Sequence, residues 1–246
     1  MWRIFTLQSA DMMLLALAIA PGAVICLFFF YRDTYNAEPR GPLLASFLLG
    51  AAMVLPAAWL EDAAAPHVGR DPGSLAAYSY GVVGLGEELA KFLVLRFYAF
   101  RRKSFDEPLD GIVYAVMISM GFATLENIFY VLSMGLGTAL LRMILSVPAH
   151  ASFAVLMGYQ AGRARFRPDR RNGLLLAGLF TAAFFHGSFD FFLFLQNSPQ
   201  VAPYLGPGSL FLGAVASFLV SLRLARRHLA EHRNLSRQIF QTNHRV

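Results

Sequence analysis

Four short strings set groups capable of proton transfer into apolar surroundings: Glu87-Glu88-Leu-Ala-Lys91, Glu126-Asn127-Ile-Phe-Tyr130, Pro148-Ala-His150 and His186-Gly-Ser-Phe-Asp190. A charge near the centre of a bilayer costs at least ~2.5 kcal/mol, so ionisable residues there face a bundle interior and mark function. Residues three or four apart share a helix face, which pairs Glu87 with Lys91, Glu126 with Tyr130 and His186 with Asp190. In the last pair a carboxylate can fix an imidazole tautomer from behind, whether the ring acts as acid, base or ligand. A glutamate beside a histidine serves as general base toward a bound water, and a second histidine or an amide can stabilise the oxyanion. That is equipment for amide hydrolysis.

The elements that must position these groups follow from composition. Of 246 residues 57% are hydrophobic and 15% charged, and there are 23 Phe and nine Met. Such a chain is an all-α polytopic membrane bundle with no room for a large soluble domain. Seven apolar runs, at about residues 12–31, 42–60, 75–100, 109–133, 138–161, 174–195 and 208–224, are each long enough to span. The first follows Arg3, but Pro21 directly after Ala18-Ile19-Ala20 is a poor cleavage context, so the run reads as a helix and not as a signal peptide. The one cysteine, Cys26, excludes a disulfide framework and a cysteine-based metal cluster.

Orientation follows from the basic residues. Sixteen of the 21 Lys and Arg come after runs one, three, five and seven, and only Arg3, Arg70 and Arg142 fall on the other side. The positive-inside rule then puts the amino terminus outside and the carboxyl terminus in the cytoplasm. Residues 1–228 form a single transmembrane domain and 229–246 a basic cytoplasmic tail. The net charge of +6 reflects topology and contact with anionic lipid, not nucleic-acid binding.

Sorting the acids and histidines in the same way isolates one site. Only Glu87, Glu88, Glu126, Asp190, His150 and His186 remain inside spans, all on runs three to six. At ~1.5 Å per residue the two adjacent glutamates, Glu126 and both histidines share one level, at or slightly outside the midplane. Pro148 should kink its span two residues before His150. Gly81, Gly84, Gly86 and Gly121 allow close helix approach beside the acidic residues.

The four strings, read as 87–91, 120–130, 148–150 with Gly158 downstream, and 186–190, resemble the PrsW-type intramembrane proteases, relatives of the CAAX prenyl endopeptidases. They occur in family order over a little under half of the chain. Phe92 stands where a CAAX-type enzyme would carry an arginine, which favours the PrsW branch and argues against a prenylated substrate.

What the resemblance implies is a multi-pass endopeptidase of the bacterial inner membrane that cuts a membrane-anchored, single-pass protein near the outer face. In the known case the substrate is an anti-sigma factor, cut at site 1 in an envelope-stress response. Carried over by position, Glu87 would activate the water with Glu88 and Lys91 orienting it, and His150 would share that water. Glu126 and Asn127 would complete the polar wall, with Tyr130 in support, and His186 held by Asp190 would stabilise the oxyanion. His150 and His186 with Glu126 or Glu87 would suffice as ligands for a catalytic zinc. No His-Glu-x-x-His string is present, and Lys91 already brings positive charge to the carboxylates, so the reading favours metal-free glutamate catalysis over a zinc cofactor. The alternative from another class is a proton-coupled transporter or channel with a Glu/His relay, against which stands the lack of inverted repeats between the halves.

Overall fold

A computed structural model of the chain describes residues 9–243, so Arg3, His244 and Arg245 lie outside the described residues. Every regular element among the described residues is helical: α1 (Ser9–Arg32), α2 (Arg40–Ala52), α3 (Val54–Ala64), α4 (Pro72–Ala76), a π-helical stretch (Ala77–Gly84), α5 (Leu85–Phe97), α6 (Pro108–Met134), α7 (Leu136–Ile144), α8 (Ser146–Arg165), α9 (Arg171–Leu195) and α10 (Pro207–Asn243). Six stretches are long and apolar enough to cross a membrane: Met12–Arg32, Arg40–His67, Pro108–Met134, Leu136–Arg165, Pro168–Leu195 and Pro207–Thr242. The apolar run at 75–100 is built differently. Its helix is assembled from α4, the π-helical stretch and α5, and Glu87, Glu88, Lys91 and Arg96 dilute its apolar character.

α6 is the hub of the bundle. In its apolar window 78% of residues are buried, against 17% in α1 and 28% in α10, and it packs on α1, α2, α5, α7, α8 and α10. Its start is encoded locally: the Glu107 side chain accepts the Asp110 N–H, Asp110 Oδ2 accepts the Glu107 N–H at 2.7 Å, and Pro108 sits where no N–H is needed. Its end is equally local, since Gly135 takes φ 80°, a conformation that glycine alone adopts freely.

Two helix breaks share one cause. A proline has no N–H for the carbonyl four residues back, and its ring collides with that carbonyl. Pro56 and Pro148 each stand three residues after the break they produce, at Met53 between α2 and α3 and at Leu145 between α7 and α8. Pro148 thus lies in the first turn of α8, and the bend falls at Leu145, five residues before His150. α10 runs 37 residues, past position 228 without interruption, roughly 55 Å and longer than a bilayer core is thick.

Glycine lets α6 and α8 touch backbone to backbone. A Cβ on Gly158 would lie 2.7 Å from Ile112 Cα, whereas one on Gly81 would meet nothing within 4 Å. Gly158→Ala should therefore destabilise the detergent-solubilised protein by about 1–3 kcal/mol through overpacking. Gly81→Ala should be neutral or stabilise by at most about 1 kcal/mol through helix propensity. Thermal unfolding followed by circular dichroism measures both; equal effects would refute the backbone contact.

Candidate active site

The π-helical stretch and α5 are held tightly to α9, which puts their carboxylates beside its histidine. A Cβ on Gly84 would fall 2.7 Å from Gly187 N, and the Tyr80 and Ser188 hydroxyls are 3.0 Å apart. Glu87 and Glu88 stand in the first turn of α5, and both are buried. Lys91, 2% exposed, donates from Nζ to Glu87 Oε2 at 3.0 Å and to Glu88 Oε1 at 2.8 Å. The same nitrogen lies 3.2 Å from His150 Nδ1 and 4.2 Å from the centre of the Phe122 ring.

The two histidines stand 4.9 Å apart, ring to ring, and nearly perpendicular. His186 turns Nδ1 to Glu88 Oε1 at 2.9 Å, and its Nε2 lies 3.1 Å from Asp190 Oδ2 and 3.8 Å from Glu87 Oε2. His150 Nε2 is 3.1 Å from Glu126 Oε2. An ammonium offers no lone pair, so His150 accepts from Lys91 at Nδ1 and carries its proton on Nε2, toward Glu126. Each imidazole thus has a carboxylate behind it. One ligand atom from each of Glu87, Glu88, His150 and His186 lies within 4.8 Å of all the others.

A cavity of about 170 Å³ opens onto this cluster, lined by Glu87, Glu126, Tyr130, His150, His186 and Asp190 among others. Glu88 is not among its walls; it stands behind, between Lys91 and His186. Asn127 also faces elsewhere: fully buried, it donates from Nδ2 to the Ala18 carbonyl of α1 at 3.0 Å and accepts at Oδ1 from Arg142 Nε at 2.9 Å. Tyr130 sits at the cavity edge with the Arg142 guanidinium 4.2 Å from its ring centre.

Two charged lining residues were not among the sequence candidates. Arg142 of α7 brings Nη2 to 2.8 Å from Glu126 Oε2, and Glu61 of α3 faces the same cavity. Both occupy the ends of apolar runs, where a charge is commonplace. The one available signal was that Arg142 is the sole Lys or Arg in the stretch between Lys103 and Arg163.

Comparison with known proteins bears on this geometry. A family model described as PrsW family intramembrane metalloprotease matches residues 38–222. The chain is 39% identical to Protease PrsW of Geobacillus kaustophilus (strain HTA426) over 185 residues, which is 75% of this chain and 81% of that protein. It is 37% identical to Protease PrsW of Bacillus subtilis (strain 168) over 182 residues, 73% and 82% of the two chains. For Protease PrsW of Clostridioides difficile (strain 630) the identity is 34% over 190 residues, 74% and 80% of the two chains. No solved structure is a significant match.

Arg142 and Glu126 are largely enclosed, and removing one member of such a pair strands the other. Arg142→Met should cost roughly 3 kcal/mol of stability, and adding Glu126→Gln to it should restore part of that loss. A double-mutant cycle on thermal unfolding reads the coupling, and additive effects would show that the pair contributes nothing.

Proposed function

This chain belongs to the PrsW family of intramembrane metalloproteases and is a multi-pass membrane protease, and on that premise we propose that Glu87 is the base that activates the water attacking the scissile bond. The substrate we assign is a membrane-anchored, single-pass protein cut near the outer face, of the anti-sigma factor kind that the family resemblance implies. The observation that carries the assignment of the base is the unequal placement of two neighbouring carboxylates. Glu87 lines the cavity, whereas Glu88 is 1% exposed and stands behind it, its Oε1 engaged by both Lys91 and His186.

The steps follow from the groups in reach of the cavity. Glu87 takes one proton from the water as its oxygen bonds to the carbonyl carbon, while His150 shares the water and Glu126 holds that ring in place. The displaced carbonyl electrons become an oxyanion, stabilised by His186 and by the Arg142 guanidinium on the same cavity wall. When the C–N bond breaks, Glu87 returns its proton to the departing amine. Asp190 orients His186 throughout.

The family description implies a metal, and the residues present fit one. His150 and His186 with Glu88 would hold it: Glu88 Oε2 is buried without a hydrogen-bond donor, and both imidazoles are backed by carboxylates, as ligating histidines usually are. Zinc suits two nitrogens and one carboxylate, and when bound it would acidify its water and polarise the scissile carbonyl. For this Lys91 would have to withdraw from His150 Nδ1, the two imidazoles would hold the metal in place of their direct contacts with the water and the oxyanion, and Glu87 would remain free as the base. Glu126, already facing Arg142 and His150 Nε2, would serve as outer support and not as a ligand.

In proteoliposomes with a single-pass substrate, Glu87→Gln should lower cleavage at least about 100-fold with the fold intact, as expected for loss of a general base. Glu88→Gln should lower the metal content of the purified protein, whereas Glu87→Gln should leave it unchanged. The opposite outcome would reverse their roles. Metal analysis of purified protein should find about one zinc per chain, absent from His150→Ala with His186→Ala; full activity with no metal bound would overturn the zinc assignment.

A further inference from the structure

The opposite end of α6 gathers a second buried group of carboxylates that the proteolytic site does not use. Asp33 and Glu38 come from the connection between α1 and α2, Asp106 and Glu107 from the one between α5 and α6, and Asp110 from the first turn of α6. Asp33, Glu38 and Glu107 are each 4% exposed, and Asp110 is fully buried. One ligand oxygen from each of Asp33, Glu107 and Asp110 lies within 4.8 Å of the other two. Asp110 is sixteen residues from Glu126 along α6, a separation of ~24 Å.

Part of this cluster is satisfied locally. The Glu38 N–H donates to Asp33 Oδ2 at 2.7 Å, the Asp106 and Glu107 N–H groups donate to Asp110 Oδ2 at 2.8 and 2.7 Å, and the Tyr114 hydroxyl donates to Glu38 Oε2. Asn36 Nδ2 donates to Asp106 Oδ1 at 2.7 Å, and Ser236 of α10 stands against Glu107. The remainder is unexplained. Asp33 Oδ1, Glu107 Oε1 and Asp110 Oδ1 are buried with no hydrogen-bond donor. Among the described residues no Lys, Arg or His nitrogen comes within 4.0 Å of any of the five carboxylates.

A protein interior does not tolerate such a surplus without compensation. Three of the five carboxylates keep a buried oxygen without a donor and none has a cation beside it, so what the cluster lacks is positive charge. The donors are all oxygens, which selects against zinc and other metals that prefer nitrogen or sulfur and for hard cations. We propose that Asp33, Glu38, Glu107 and Asp110 bind a hard divalent cation, magnesium or calcium, that fastens the α1–α2 connection to the start of α6. The site is separate from the proteolytic one in place and in ligand chemistry.

Terbium(III) is a hard-cation probe whose luminescence rises when a tyrosine close by is excited, and Tyr114 bonds directly to Glu38. Titrated into the full chain in non-ionic detergent, it should give a saturable tyrosine-excited signal. The signal should be the same in a His150→Ala, His186→Ala variant. Magnesium or calcium should displace it, and whichever does so at the lower concentration identifies the preferred ion. Glu107→Gln and Asp33→Asn should each weaken binding at least tenfold. No saturable signal, no displacement by either ion, binding unchanged in both carboxylate variants, or a signal lost with the two histidines would each overturn the proposal. The wild-type titration and the histidine variant decide the matter even if the carboxylate variants fail to fold.

Discussion

The ammonium of Lys91 is enclosed in the interior of a membrane-spanning chain, and the helices around it are arranged to compensate it. An ion removed from water loses several kcal/mol of solvation that only close partners return. Lys91 has Glu87 and Glu88 from its own helix, His150 from α8 and the face of the Phe122 ring from α6. Each partner is held in turn: Glu88 reaches on to His186 and thence to Asp190, and His150 reaches on to Glu126 and thence to Arg142. Five helices, α5 to α9, are therefore bound into one electrostatic unit, in which the loss of any member strands its neighbour's charge.

Charge compensation separates the two ends of α6. At the proteolytic end five carboxylates, Glu61, Glu87, Glu88, Glu126 and Asp190, accompany two permanent cations, Lys91 and Arg142, with two imidazoles between them. At the other end five carboxylates meet only neutral donors. The first arrangement can gain or pass a proton at several points, which suits hydrolysis. The second has no cation of its own among the described residues.

Much of the site was legible because burial itself was legible. Glu87, Glu88, His150 and His186 stand in runs whose neighbours are nearly all apolar, so their enclosure follows from the membrane and their convergence from helical periodicity. Arg142 and Glu61 escaped the same reasoning because a charge near the end of an apolar run looks like an ordinary boundary residue. What brings Arg142 over Glu126 is the turn at Gly135 and the break at Leu145, which together set α7 across the site. The same holds for the carboxylates near Asp110, each of which reads as a loop or cap residue until tertiary packing joins two connections 70 residues apart. Helix breaks were only half visible: Pro148 announced one, but its position followed from the carbonyl behind the proline and not from the proline itself.

The hydrogen bond from Asn127 to the Ala18 carbonyl gives the site a mechanical connection to the lipid. α1 is the least enclosed of the apolar helices, with only 17% of its window buried, yet it is pinned through Asn127 to the arginine that steadies Glu126 and, through Glu126, to the ring of His150. Four links, each about the length of one hydrogen bond, thus run from a surface that feels lateral pressure to an imidazole that handles protons. A shift of α1 would therefore reach the acid–base groups by way of Asn127, Arg142 and Glu126, in that order.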